Sequence, residues 1–262
     1  GTADDTAAPA SYSTTNTQIA GVDEADRIEY NGDYLFVADL PVWTPSHGEV
    51  KKVRILARQN DYSLTEAATI SLQENLNVAG MYLYKDILGV VSHSFQYYAM
   101  ADILLDSSPW QQPENDTYID IYGVAEPASP NTVSNIRIDG GLINSRRIDN
   151  HLFIATQFVP NLEDLPDAGT SNRSLVNLYN AILAKNSSEL VPKITINGQT
   201  SDLYQLTDCL LPQRATEQNG HTQMVSVVKI DLDNPMNFSS LCLLTEAHGL
   251  FASADHLYLH AR

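Results

Sequence analysis

Basic residues are scarce in this chain. Fifteen Lys and Arg stand against 32 Asp and Glu, a formal net charge of −17. A surface of that sign repels phosphate backbones, whose recognition rests on Lys and Arg, and so argues against a nucleic-acid partner. It argues equally against anionic membrane surfaces, while leaving cationic partners and metal ions open. Long apolar runs are missing as well. Nowhere do about 18 apolar residues follow one another, so no segment reads as a transmembrane helix. There is no GxSxG elbow, Walker loop, GxGxxG or CxxC, the usual marks of nucleophilic, nucleotide-binding and redox chemistry. No signal peptide opens the chain, although Gly1 in place of a methionine leaves a removed signal open. Residues 1–15 carry mostly Ala, Thr, Ser and Asp with little to bury, and read as a flexible leader. Cysteines number only two, Cys209 and Cys242, either two separate buried thiols or one disulfide.

Against these absences the apolar content is ordinary, 43% over 262 residues, enough for a real core. That content is organised as a repeat. DRIEYNGDYLFVAD (26–39) reads as strand, Asn-Gly turn, strand, and Asn-Gly supplies the positive φ that a tight hairpin needs. The shape returns in GMYLYKDILGVVSH (80–93), NSRRIDNHLFIATQ (144–157) and LFASADHLYLHA (250–261). Aligned on the second strand, Leu35, Leu88, Leu152 and Leu257 coincide. Val37, Val90, Ile154 and Leu259 follow two residues later, and Asp33, Asp86, Asn150 and Asp255 precede at the turn. Period-two alternation places one face of each second strand in a core. Third strands follow in KKVRILA, TYIDIYGV and VSVVKIDL, and fourth strands in EAATISL, VSNIRI and SSLCLL.

Successive four-stranded antiparallel units of this size predict an all-β fold, a β-propeller of stacked blades. A β-sandwich also alternates but does not predict aligned hairpins. The units span 26–72, 79–139 and 142–246, with a half unit at 248–262, about three and a half blades within a partial propeller over 16–262. Propellers have four to eight blades, so the chain is expected to be a fragment, or else its open blade edges pair with another copy. An insertion at 158–222 lengthens the third unit. Within it SNRSLVNLYNAILAKN predicts the one substantial helix, capped by Ser171 or Asn172, while PNLEDLPDAG and VPKITINGQTSD read as loop. Cys209 ends the insertion and Cys242 lies in the fourth strand of the same unit, so a disulfide between them would staple the excursion to its own sheet. Position therefore favours the disulfide.

The stretch TNTQIAGVDEADRIEYNGDYLFVAD closely resembles the opening of the secreted β-propeller domain family, described as distantly related to WD-repeat propellers. TYIDIYGVAEPASPNTVSNIRIDGGLINSRRIDNHLFIATQ, MVSVVKIDLDNP and FASADHLYLHA are similar to later segments of that family, and the likeness runs from residue 14 to 262. The resemblance implies a longer parent chain and export to a secreted or periplasmic location, often with a leader or lipid anchor. It implies no established catalytic activity and no catalytic residues.

Two groups stand out as candidate sites. Asp23, Glu24 and Asp26 are three carboxylates at the start of the first hairpin, read either as calcium ligands or as structural acceptors of loop amides. Their spacing does not match the twelve-residue calcium loop, which favours the structural reading. Tyr97 and Tyr98 lie in an aromatic cluster, FQYYAM, able to stack on a sugar or peptide or to pack between blades. His256 and His260, four apart on a strand, are too far separated to share a zinc ion. The expectation is an exported, non-catalytic β-propeller that binds or scaffolds a protein or polysaccharide. No cofactor is expected beyond calcium. The alternative is an extracytoplasmic hydrolase or lyase with its site at the propeller axis. Convergence of residues 23–26 with 140–144 in a deep pocket would favour that alternative.

Overall fold

The computed structural model describes residues 19, 21–40, 50–94, 115–160, 171–211 and 223–260. Among these, strands dominate. The first sheet is a meander of β2 (Ile28–Tyr30), β3 (Tyr34–Ala38), β4 (Val50–Arg58) and β5 (Leu64–Glu74). The second contains β6 (Leu76–Tyr84), β7 (Ile87–Ser94), β8 (Asp116–Gly123) and β9 (Asn131–Asp139). The third contains β10 (Gly141–Ile148), β11 (His151–Phe158), β14 (Met224–Asp231) and β15 (Phe238–Leu244). A two-stranded sheet of β16 (Gly249–Ala252) and β17 (Leu257–His260) closes the series. All the pairings between named strands are antiparallel.

The repeat has a backbone signature. In the first hairpin the Asn31 side chain accepts from the amides of Asp33 (3.1 Å) and Tyr34 (2.8 Å), and Gly32 takes φ of 106°. The carbonyls of Asp33, Asp86 and Asn150, the residues that coincide at the turn, each accept one amide from the end of the third strand. The donors are Arg58 (2.8 Å), Val124 (2.7 Å) and Leu232 (2.8 Å).

Between the first and second sheets lies one apolar layer, with Phe36, Val53 and Ile55 facing Met81, Leu88 and Val90. A second layer sets Ile119, Ile121 and Ile136 of the second sheet against Leu152, Ile154 and Val228 of the third. The middle sheet is thus buried on both faces, and each fully buried side chain contributes about 1.5–3 kcal/mol. Leu88 and Leu152 are fully buried, each facing the preceding sheet. Leu35 and Leu257, at the same place in their own strands, are only half-buried. Leu35 lies on the face opposite Phe36, turned away from the second sheet. Within the first sheet that outer face also carries Ile28, Val37 and Leu56.

The insertion departs from expectation in one respect. KITI and QTSD are not loop but a hairpin, β12 (Lys193–Ile196) and β13 (Gln199–Asp202), turning at Asn197 and Gly198, both with positive φ. β12 pairs with β9 and extends the second sheet to six strands. Asn-Gly between alternating residues is the same hairpin signal that opens the chain. The predicted helix is α1 (Asn172–Leu183), with Ser171 accepting from the Ser174 amide. Cys209 and Cys242 form a disulfide, and Leu210 makes a parallel bridge to Leu243 beside it. Among the described residues no helix is long and apolar enough to cross a membrane.

Candidate functional site

Residues 22–30 cross the inner strands of all three large sheets. Strand β1 (Val22–Glu24) pairs with β10 as an additional edge strand of the third sheet. Asp26 then bridges to Met81 of β6, exchanging Asp26 N–H to Met81 O (3.4 Å) and Met81 N–H to Asp26 O (2.6 Å). Two residues later the chain enters β2 of the first sheet. The crossing demands close contact. A Cβ on Gly80 would stand 2.4 Å from the Ala25 Cβ, so only glycine fits. Arg27 fastens the next step, donating to the carbonyls of Asp39 and Val78.

Pairing β1 with β10 sets Asp23 opposite Arg147 and Glu24 opposite Arg146. Arg147 donates to one Asp23 oxygen from Nε (3.0 Å) and Nη2 (2.8 Å), and its guanidinium lies 5.7 Å from the Tyr84 ring centre. Arg146 reaches Glu24 at 3.6 Å and donates to Asn144 Oδ1 and Ser145 O, each at 2.7 Å. Tyr82, fully buried, donates to Ser145 Oγ at 2.7 Å. Burial pushes its phenol far above the ordinary range.

Glu29 completes the cluster. It points to the buried side of β2, is 6% exposed, and among the described residues its Oε1 has no hydrogen-bond partner. Burial first, then the negative charges of Asp23 and Asp26, push its carboxyl up to about 8, with Arg147 opposing. At neutral pH it therefore holds its proton. Asp26 is raised as well, by burial and by Asp23 and Glu24.

Of the carboxylates singled out in the sequence, Asp23 and Glu24 are thus brought to arginines. Among the described residues no group of three His, Cys, Asp or Glu side chains is arranged to hold a metal ion. Tyr97 and Tyr98 lie outside the described residues. Of residues 140–144, Asn144 reaches the cluster through Arg146, while Gly141 and Leu142 pair at the opposite end of β10, with Gln157 and Thr156. Glu29, Tyr82 and the two arginine partners were not singled out. The signal for the arginines was an acidic pair in one short strand and a basic pair in another, which only the pairing of residues 22–24 with 146–148 makes meaningful.

A second feature is a recess of about 480 Å³ in the first sheet, where the chain passes the Ala38 end of β3. Its lining includes Arg27, Lys51 and Arg54, the apolar Ile28 and Val37, and Asp39. Arg27 is held by the carbonyls of Asp39 and Val78 and Lys51 is buried, which leaves Arg54 as the exposed cation.

No curated protein and no solved structure matches the chain. A family model described as the beta propeller domain matches residues 12–262. Sheets stacked face to face about a shared set of inner strands agree with that match, and the chain belongs to the beta propeller domain family.

Proposed function

We propose that the chain is a non-catalytic β-propeller module of three four-stranded blades and half of a fourth, binding a protein or polysaccharide outside the cytoplasm. One observation carries the reading. Two of the acidic side chains where the inner strands meet are committed to the fold, Asp23 to Arg147 and Glu24 to Arg146. The disulfide supports an oxidising, extracytoplasmic compartment. The recess sets the exposed Arg54 beside the apolar Ile28 and Val37, a pairing that suits a carboxylate-bearing ligand. Binding of acidic polysaccharides and acidic peptides, measured by calorimetry on the wild type and on Arg54→Glu, tests it. Binding that Arg54→Glu abolishes supports the reading, and no binding in either panel overturns it.

A hydrolase or lyase is favoured by Glu29 alone, since a general acid must hold its proton near neutral pH. Its burial and the distance of the second loop weigh against that role. Turnover of a glycan or peptide panel that disappears in Glu29→Gln would establish the enzyme.

A further inference from the structure

The insertion is held by three separate attachments: β12 on β9, the Leu210–Leu243 bridge, and the Cys209–Cys242 disulfide. Yet α1, which they carry, buries none of its residues. Half of the helix is large and apolar: Leu175, Val176, Leu178, Tyr179, Ile182 and Leu183. Leu178 and Ile182 are half-buried, but Leu175, Val176, Tyr179 and Leu183 are 50%, 56%, 63% and 64% exposed. Leu175, Tyr179 and Leu183 follow at four-residue spacing and form one continuous ridge.

Charge selects what covers the ridge. The chain has twice as many acidic as basic residues, yet α1 contains no Asp or Glu. Arg173 stands in its first turn and Lys185 just past its end, the latter also meeting Glu189 at 3.5 Å. The remaining exposed polar positions are the uncharged Asn172, Asn177 and Asn180. An apolar stripe with an amphipathic aromatic in its middle, a polar face without acidic side chains and Arg173 at its start suits a helix lying in an uncharged membrane interface. A second copy of the chain fits less well. Four side chains fall short of the roughly 800 Å² per partner that a stable dimer buries, and a net charge of −17 drives copies apart.

We infer that α1 docks the chain reversibly on a zwitterionic phospholipid surface, with Leu175, Tyr179 and Leu183 at the acyl boundary. The inference is independent of what the recess on the first sheet binds. The net charge opposes anionic bilayers at low ionic strength, and salt screens that repulsion. Binding to anionic vesicles therefore rises with salt, the reverse of a polybasic attachment.

The test is co-sedimentation of the full chain with small phosphatidylcholine vesicles, and with phosphatidylglycerol vesicles at low and high salt. The control is the triple variant Leu175→Ser, Tyr179→Ser, Leu183→Ser, whose fold is checked by an unchanged thermal midpoint. The expected result is wild-type binding to phosphatidylcholine that falls roughly tenfold or more in the variant, and phosphatidylglycerol binding that increases with salt. A Tyr179→Trp reporter should shift its emission to the blue on adding phosphatidylcholine. The inference is overturned if the wild type stays in the supernatant at millimolar lipid, which reassigns the ridge to a protein groove. Equal binding by wild type and triple variant overturns it too. So does a wild-type dimer that the triple variant dissolves.

Discussion

Arg147 holds one oxygen of Asp23 with two hydrogen bonds, of 3.0 and 2.8 Å, across 124 residues of chain. The Asp23 side chain is 5% exposed and that of Arg147 19%, so the pair is largely removed from water. Removing one partner of such a pair leaves the other buried and uncompensated. We expect Arg147→Met to cost about 3–5 kcal/mol in urea unfolding. Adding Asp23→Leu to it should recover part of that loss, and a double variant no better than the single would refute a direct pair.

Calcium addresses the same carboxylates. With Arg147 and Arg146 already beside Asp23 and Glu24, added calcium should leave the thermal midpoint unchanged. A stabilisation that chelator reverses would restore the calcium reading of Asp23, Glu24 and Asp26.

Glu29 makes stability depend on pH. Its carboxyl titrates at about 8 in the fold against an ordinary value of 4.5, so the folded state holds the proton more tightly than the unfolded one. The contribution is complete below 4.5 and is lost as pH rises through about 8. Asp23, Asp26 and Tyr82 face it without neutralising it, and among the described residues Arg147 offsets the ionised form. Glu29→Gln should gain on wild type by a few kcal/mol between about pH 5 and pH 9, because each tenfold difference in proton affinity between the folded and unfolded states is worth about 1.4 kcal/mol. Parallel stability–pH curves for the two proteins would contradict this.

Gly80 gives a steric prediction. Its substitution by Ala forces β6 and Ala25 apart, since the new Cβ would sit 2.4 Å from the Ala25 Cβ and 2.8 Å from its carbonyl carbon. A cost of about 1–3 kcal/mol is expected. Exchange protection of the Met81 amide, which bonds Asp26, should fall with it.

Reducing the disulfide should loosen the insertion first. Cys209 and Cys242 close a loop with a sequence separation of 33, which the loop-entropy account values at up to about 4 kcal/mol. Cys209→Ser/Cys242→Ser should lower the unfolding midpoint. Two reactive thiols in unfolded, unreduced wild type would dispose of the bridge.

Much of the architecture was legible because it is local. Alternating aliphatics and an Asn-Gly turn act within a dozen residues, so hairpins and their order could be read from Leu35, Leu88, Leu152 and Leu257. The β12–β13 hairpin carried the same signal at Asn197-Gly198 but sat among residues that otherwise read as loop.

What the sequence determined by itself was the repeated strand pattern and the position of the two cysteines in one unit, since alternation and turn chemistry depend on neighbours along the chain. Only the tertiary structure decided that Asp23 and Glu24 meet arginines, that Glu29 is buried without a partner for one oxygen, and that Leu35 and Leu88 differ in burial although aligned. Charge and burial depend on what approaches from distant chain. Residues 22–30 acquire their surroundings from β6 and β10, far along the sequence, and no local pattern encodes that meeting.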